Sequence, residues 1–441
     1  MHSREIRDPV HRVIGVTEEE TRFLDHPFVQ RLRYIRQLGF AYLVYPGAQH
    51  DRFGHVLGAM HLAGLMWSAV IERDRELLEA RFGQANLARF RRLLRLAALM
   101  HDLGHAPFSH VAEHFMPALA ATAFPAEWTP ARETPARRAR HEDFSVILMR
   151  ALCDGPDPLL TPADAQDIAS LVHDDIEPSG AWRAEFGADD HGLHALLKSF
   201  ISGELDCDRM DYLLRDAYMA GTVYGNYDID RLINGQGVAE LDGRLVRYLD
   251  ATAVRSFEDF LLARYHMFLQ VYLHKTTVSF DLSLRQAVER GELELALPGD
   301  AAGYAALRDD TVVERLFAAS VDGRHEWSRR LVRREPLKLV MVAEAARPEE
   351  TALMERVRSL LRSLGLESFE VNSRHYLSRA PRLAADGSLF VRRRLLGRHV
   401  LDPITSYSNL LTKYNEQVLM THLYLRRDDW DRAREALTAL H

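Results

Sequence analysis

Apolar residues recur at three- and four-residue spacing through most of the first two thirds of the chain, a pattern that predicts helices. Phe28, Leu32, Ile35 and Leu38 form one stripe, with Pro27 at its start and Gly39 at its end, so a helix is expected there. Phe53, Val56, Leu57, Met60, Trp67 and Ile71 form a second stripe. Leu87, Phe90, Leu94 and Ala97 form a third, and His101 falls next on it. A fourth helix is expected from about Leu196 to Met219 and a long fifth from Val254 to about Glu289. Between them, residues 118–140 read as a surface loop or insertion, with prolines and the run Arg137-Arg138-Ala139-Arg140, and residues 174–191 as a polar connection.

The texture changes near Asp300. Leu337 to Val342 reads as a strand and Pro348 to Leu364 as a helix. Phe369 to Val371 and Leu389 to Arg393 read as further strands, and Asp429 to Leu440 as a closing helix. A chain of 441 residues exceeds what one hydrophobic core usually serves. The expected fold is therefore mainly α, a helical catalytic core over residues 1–295 followed by a smaller α+β domain over residues 296–441.

Composition narrows the class. Hydrophobic residues make up 47% and charged residues 27%, the profile of a globular protein. A formal net charge of −7 opposes a general nucleic-acid coating role, which needs a basic footprint. Two cysteines, Cys153 and Cys207, give no disulfide framework and point to a reducing, cytoplasmic setting. The run Met1-His2-Ser3-Arg4-Glu5 lacks the apolar core of a signal peptide, and the apolar stretch Gly58 to Ile71 is interrupted by His61 and too short to span a bilayer, so no membrane association is expected.

The third stripe runs into His101-Asp102-Leu103-Gly104-His105-Ala106-Pro107-Phe108-Ser109-His110. A His-Asp pair at the end of a buried stripe is costly unless something binds it, and a divalent cation does so through imidazole nitrogen and carboxylate oxygen. Further ligands are needed. His55 lies beside the apolar face of the second helix and Asp208 within Glu204 to Tyr212, so His55, His101, Asp102 and Asp208 form a candidate mixed nitrogen and oxygen site on three helices. His173-Asp174 serves as an internal control: it precedes a polar loop, has no histidine-rich sequel and reads as a solvated helix end. Asp208, Tyr212 and Asp216 share a helix face at i, i+4 and i+8, with Arg209 beside them. Arg264 and Lys275 fall on the stripe of Phe257, Leu261, Phe268 and Val271, where a cation calls for an anion. A nucleotide phosphate and a structural ion pair are both open for Arg264. Arg52 lies three residues before His55, within reach of the same pocket or as a helix-cap charge.

These residues resemble the HD-domain deoxynucleoside triphosphate triphosphohydrolases, in particular the subgroup that includes the mammalian enzyme carrying an additional SAM domain. The likeness rests on Asp8-Pro9-Val10-His11, Phe28 to Gly39, Tyr45 to Gly58, His101 to His110, Asp206 to Asp216 and Tyr272 to Lys275, and covers residues 4–290. It implies that His55, His101, Asp102 and Asp208 hold a divalent metal (manganese, magnesium, iron, nickel or zinc). It implies that His105, His110 and His141 line the reacting phosphate, with His110 the proton donor to the leaving 5′ oxygen and Glu113, where the mammalian enzyme has Asp, partnering the active-site histidine. Arg52, Arg209, Tyr212, Arg264 and Lys275 would contact the triphosphate, Gln37 and Asp216 would read the 3′-hydroxyl, and Tyr272 would pack where a 2′-hydroxyl has to fit. The implied reaction is water attack on the α-phosphorus, giving a deoxynucleoside and triphosphate. Family members work as oligomers, so a homodimer or homotetramer is implied. Asp25, Gln30 and Arg33 match positions that hold a guanine-nucleotide effector.

The chain departs from the mammalian pattern in further ways: no SAM domain is expected within these 441 residues, Phe268 stands in place of a histidine, and Glu5 stands in place of an apolar residue of the effector pocket. The C-terminal run Arg392-Arg393-Arg394 reads as a solvated basic face or an effector phosphate contact. Two alternatives compete with this reading: a deoxynucleoside monophosphate phosphatase of the same superfamily, which the three cations Arg209, Arg264 and Lys275 oppose, and a non-catalytic nucleotide sensor or single-stranded nucleic-acid binder, which the intact candidate ligand set opposes.

Overall fold

The computed structural model describes residues 4–130, 136–321, 323–376, 389–408, 410–411 and 417–440. The N-terminal tripeptide and part of the 118–140 segment therefore lie outside the described residues. The chain opens with a hairpin of β1 (Arg4–Asp8) and β2 (Arg12–Val16), antiparallel in the register Ile6 to Ile14. Then come α1 (Glu18–Leu24), α2 (Pro27–Gln30), α3 (Arg52–Arg73), α4 (Arg75–Met100), α5 (His141–Ala151) and α6 (Pro162–Val172). They are followed by α7 (Gly180–Phe186), α8 (Leu193–Ile201), α9 (Cys207–Ala220) and α10 (Ile229–Asn234), then β3 (Gln236–Leu241), β4 (Arg244–Asp250), α11 (Val254–Met267) and α12 (Lys275–Glu289). The mainly α reading holds.

The core is built on the antiparallel neighbours α3 and α4. Asp51 caps α3 by accepting from the Gly54 N–H at 3.0 Å, and the stripe Val56, Met60, Ala63 and Trp67 is fully buried. Trp67 donates its indole N–H to the Leu87 carbonyl at 3.1 Å, so the largest side chain of the interface is also satisfied. Arg95 of α4, buried, donates to Glu20 of α1 at 2.8 Å, while Thr17 and Glu20 close a capping box at the start of α1. Helix α3 is long and apolar enough to cross a membrane by length and composition, but it is largely buried in this core.

A glycine sets the position of the segment that carries the His-Asp pair. Gly104 follows the His-Asp pair, and a Cβ there would lie 2.1 Å from the His141 carbonyl oxygen and 2.3 Å from the Ser145 nitrogen. Only glycine lets α5 approach so closely. Ser145 Oγ then donates to the His101 carbonyl at 2.6 Å and accepts from the Gly104 N–H at 2.9 Å. Arg31 fixes the other side by donating to the Leu103 and His105 carbonyls at 3.1 and 2.8 Å.

After α12 come α13 (Ala301–Ala305), α14 (Asp309–Ser320), α15 (Glu326–Val332), β5 (Lys338–Glu344), α16 (Pro348–Ser363), β6 (Phe369–Tyr376), β7 (Phe390–Leu395), β8 (Arg398–Pro403), β9 (Gln417–Leu425) and α17 (Arg427–Thr438). The expected C-terminal strands and helices are present. Strands β5, β9 and β6 form a three-stranded antiparallel sheet in the order β5-β9-β6, with α16 and α17 over a small core of Met354, Leu361, Leu423 and Leu425, whereas β7 and β8 join β3 and β4 in a second sheet in the order β3-β4-β7-β8. Contacts also cross the division at residues 295 and 296. Strand β7 pairs in parallel with β4, Tyr304 stacks on Phe144 at 3.8 Å, and Asp309 accepts from the Phe108 N–H at 2.7 Å.

Several expected elements are interrupted. The Phe28 to Leu38 stripe is not one helix: α2 passes into a 3-10 turn at Arg31–Tyr34 and Ile35 is extended. Arg36 bridges Asp51, the Gln37 N–H donates to the His50 carbonyl at 3.0 Å, and these cross-chain bonds replace helical ones. The fourth expected helix splits into α8 and α9 because Asp206 turns its carboxylate to the Arg209 N–H at 2.8 Å and starts a new helix. The fifth splits into α11 and α12 at a π-helical turn over Phe268–Tyr272. Residues 118–140 are not simply a surface loop, since Leu119, Phe124 and Trp128 are buried. The 174–191 connection contains α7, whose Trp182 is buried. The His173-Asp174 pair is only half solvated: Asp174 is exposed, but His173 is buried and bonded to Asp143 at 2.9 Å.

Candidate metal centre and active site

His55 projects from the first turns of α3, His101 caps α4, Asp102 follows it, and Asp208 is in the first turn of α9. Their donor atoms converge. His55 Nε2 lies 3.1 Å from Asp208 Oδ1 and 3.6 Å from Asp102 Oδ2, and His101 Nε2 lies 3.5 Å from Asp208 Oδ1 and 3.3 Å from Asp102 Oδ1. Both Nε2 atoms are buried and have no hydrogen-bond partner. Each ring is oriented from its other nitrogen: His55 Nδ1 is 2.8 Å from Asp211 Oδ2, and His101 Nδ1 is 2.7 Å from the Ala98 carbonyl. A carbonyl or carboxylate accepts, so Nδ1 carries the proton and Nε2 presents its lone pair inward.

Burial opposes charge on His55, yet the carboxylates of Asp208, Asp211 and Asp102 push its pKa up to about 10, so that in the absence of a cation a proton takes the inward Nε2 position. Burial likewise resists ionisation of Asp208, and the facing His101 and His55 hold its carboxyl well below the usual range. This field asks for a cation. Two imidazole nitrogens with open lone pairs and two carboxylates fit a divalent first-row metal, so the residues present suit the group the sequence implies. Arg52 is buried, bonded to Asp102 and donating from Nε to Ser109 Oγ at 2.7 Å, so it sits beside a ligand carboxylate.

A second cluster adjoins the first through Asp102, whose Oδ1 is 3.2 Å from His105 Nε2. Here Glu113 is the hub. Its Oε1 lies 2.9 Å from His110 Nδ1, 2.6 Å from His141 Nδ1 and 3.8 Å from His105 Nδ1. The His105 and His141 rings stack at 3.9 Å. Burial, then Arg52 and His141, holds the His105 pKa well below its ordinary value and keeps the ring neutral. Burial acts the same way on His141, but the Glu113 carboxylate overrides it and raises the pKa to about 9. His110 differs in being 68% exposed at the side chain, held from one nitrogen with the other turned to the open side.

Around these clusters the structure places most of the other candidates. Asp216 is gripped from two sides, by Tyr272 Oη donating at 2.8 Å and His50 Nε2 at 2.8 Å. Gln37 is buried with Oε1 unpartnered. Tyr212 lies between His55 and Tyr272, at ring distances of 6.4 and 6.3 Å. Arg209 donates to the Gly203 carbonyl at 2.7 Å. Burial and the nearby Arg209 pull the Arg264 pKa down, while Tyr212, Glu204 and Asp206 act in the opposite direction. Lys275 opens α12 and is exposed.

Asp25, Gln30 and Arg33 line a separate cavity of about 330 Å³ together with Arg4, Glu5 and Phe53. Arg33 lies over the Phe53 ring at 3.6 Å and donates to Gln30 Oε1 at 2.9 Å. Among the basic run, Arg392 pairs with Asp74 and Asp250 and Arg393 is bonded to Asp402, which gives these two a structural partner. Sequence reasoning missed His50, Asp211 and Ser109. His50 and Asp211 lie inside the quoted stretches, but only the fold shows which carboxylate or imidazole they face.

The HD domain family matches residues 52–216, the span from Arg52 to Asp216 that carries all four metal-ligand candidates. An uncharacterized protein of Methanocaldococcus jannaschii is 30% identical over 283 residues, 64% of this chain and 49% of that one. The uncharacterized protein YwfO of Bacillus subtilis is 30% identical over 289 residues, 65% of this chain and 55% of that one. The deoxynucleoside triphosphate triphosphohydrolase SAMHD1 of Homo sapiens is 28% identical over 325 residues, 71% of this chain and 48% of that one. The chain thus spans about half the length of these relatives. A hypothetical protein of Aquifex aeolicus has a similar crystal structure, with a TM-score of 0.72 at 26% identity over 98% of this chain and 99% of that one. A phosphohydrolase of Bacteroides thetaiotaomicron shares the fold, with a TM-score of 0.67 at 24% identity over 96% of this chain and 100% of that one.

Proposed function

We propose that this chain, whose residues 52–216 match the HD domain family, hydrolyses deoxynucleoside triphosphates at the α-phosphorus, releasing a deoxynucleoside and inorganic triphosphate. The observation that carries this reading is the sharing of Asp102 between two clusters, one of metal-ligand type and one of acid and base type, its two oxygens at 3.6 Å from His55 and 3.2 Å from His105. A bound divalent metal at the first cluster would supply Lewis-acid polarisation of a phosphoryl oxygen and acidify water. His110, exposed and steered by Glu113, is suited to give a proton to the departing 5′ oxygen. Arg209, Arg264 and Lys275 would neutralise the triphosphate, which takes up the water oxygen while the deoxynucleoside departs. Gln37 and Asp216 would hold the 3′-hydroxyl, and Tyr272, tied to Asp216, would close the space a ribose 2′-hydroxyl needs.

The cavity lined by Asp25, Gln30 and Arg33 is assigned to a guanine-nucleotide effector, and the working form to a homodimer or homotetramer. The test is incubation of the purified protein with each dNTP and manganese, singly and mixed, with and without GTP, followed by chromatography. Deoxynucleoside and triphosphate are the expected products. Release of monophosphate or of single phosphate would overturn the proposed cleavage position. An unchanged rate, assembly state and GTP binding signal would overturn the effector assignment.

A further inference from the structure

Asp211 is neither a metal-ligand nor a phosphate-contact candidate, yet it is fully buried and touches His55 from behind. It lies on α9 close behind Asp208, fully buried, and its carboxylate is held from three sides. His55 Nδ1 reaches Oδ2 at 2.8 Å. His11 Nε2 reaches Oδ1 at 2.7 Å. Arg215 donates from Nε and Nη2 at 2.8 and 2.9 Å. Arg215 donates a third bond from Nη1 to Asp8 Oδ2 at 2.8 Å, and the other oxygen of Asp8 accepts from the Val10 and His11 N–H groups at 2.9 and 2.8 Å. Asp8 ends β1 and His11 lies in the turn before β2. The N-terminal hairpin therefore reaches into the protein as far as the group behind a metal-ligand candidate.

The helix opposite is shaped for this carboxylate. A Cβ at Gly58 of α3 would lie 1.7 Å from Asp211 Oδ1 and 2.5 Å from Arg215 Nη2. The glycine leaves the space that the charged group fills, one turn along α3 from His55. A carboxylate only accepts, so it fixes the His55 proton on Nδ1. An asparagine amide in the same place can present its NH2 instead and favour the other tautomer, with a proton where the lone pair is needed.

We infer that Asp211 is the positioning residue for the metal ligand His55, and that the N-terminal hairpin, through His11 and Asp8, is a built-in part of the metal site. This inference rests on the metal reading given above. A purely structural role for the same network, holding α3 against α9, predicts lost stability with metal affinity intact in whatever protein folds. The positioning role predicts lost metal affinity in folded protein.

The experiment strips the full-length protein with chelator and titrates manganese by calorimetry. Each variant's fold is checked by circular dichroism and melting without metal. Wild type should bind and Asp208→Ala should not. Asp211→Asn and Gly58→Ala should bind roughly ten- to a hundredfold more weakly, the range seen when an outer partner of a metal-bound imidazole is lost. His11→Ala should weaken binding while remaining folded, and His11→Gln, whose amide can donate to the same carboxylate, should restore most of it. Wild-type affinity in folded Asp211→Asn and His11→Ala, beside no binding in Asp208→Ala, would overturn the inference and leave the metal reading standing. Absence of manganese binding by wild type would overturn both.

Discussion

Two groups of imidazoles stand side by side in this molecule, joined by one aspartate, and they are built for different work. In the first, His55 and His101 turn their Nδ1 atoms to fixed acceptors and leave Nε2 buried and unpartnered between two carboxylates. In the second, His110 and His141 both turn Nδ1 to the single oxygen of Glu113, and His110 alone extends to the exposed side. The residue types are the same. What differs is where the acceptor sits and whether the free nitrogen is buried between carboxylates or belongs to an exposed ring. On the reading proposed above, the buried lone pairs and carboxylates hold the cation and the steered, exposed imidazole carries the proton.

The largest effect expected from that contrast is at Asp208. Asp208→Ala should remove both manganese binding and turnover, reducing the rate to background in a product assay. Retained binding would place the metal elsewhere. Next comes His110→Ala, which should lower kcat by roughly 10²–10⁴-fold, the usual scale for a positioned acid, while manganese affinity stays as in wild type. Loss of both would merge the two groups into one. Gly104→Ala should separate them physically, because the added carbon meets the backbone of α5. A stability loss of about 1–3 kcal/mol is expected from such overpacking, read as a lowered denaturant midpoint, together with reduced kcat.

The smallest effect concerns pH. The His141 pKa is raised to about 9 by Glu113, against the effect of burial. The stabilisation from that pair is complete below the ordinary histidine value, about 6.5, and is lost as pH rises to about 9. The melting temperature of metal-free protein should fall across this window, and the fall should flatten in Glu113→Gln. An equal slope in the variant would separate His141 from Glu113 in solution.

Much of the helical core was readable from the chain because the α3 and α4 stripes bury a continuous face, and periodicity reports that directly. The breaks in the other helices were not. Phe268 to Tyr272 keeps a helical composition, and only a changed hydrogen-bond register makes it a π turn. Asp206 carried a legible cap signal inside a stretch whose periodicity ran on regardless. Burial of His173 escaped notice because its partner, Asp143, is thirty positions away. The four metal-ligand candidates were found because a His-Asp pair ends an apolar stripe and the surrounding stretches resemble a family. Asp211 and His50 were passed over for the opposite reason. Their partners, His11 and His55 for one and Asp216 for the other, are brought near only by the packing of α9 against α3 and the segment before it.

The most direct test of the proposed reaction is turnover of a dNTP in ¹⁸O-labelled water with mass spectrometry of both products. Attack at the α-phosphorus places the heavy oxygen in the inorganic triphosphate and leaves the deoxynucleoside unlabelled. Heavy oxygen in the deoxynucleoside, in a released monophosphate or in single phosphate would contradict the account.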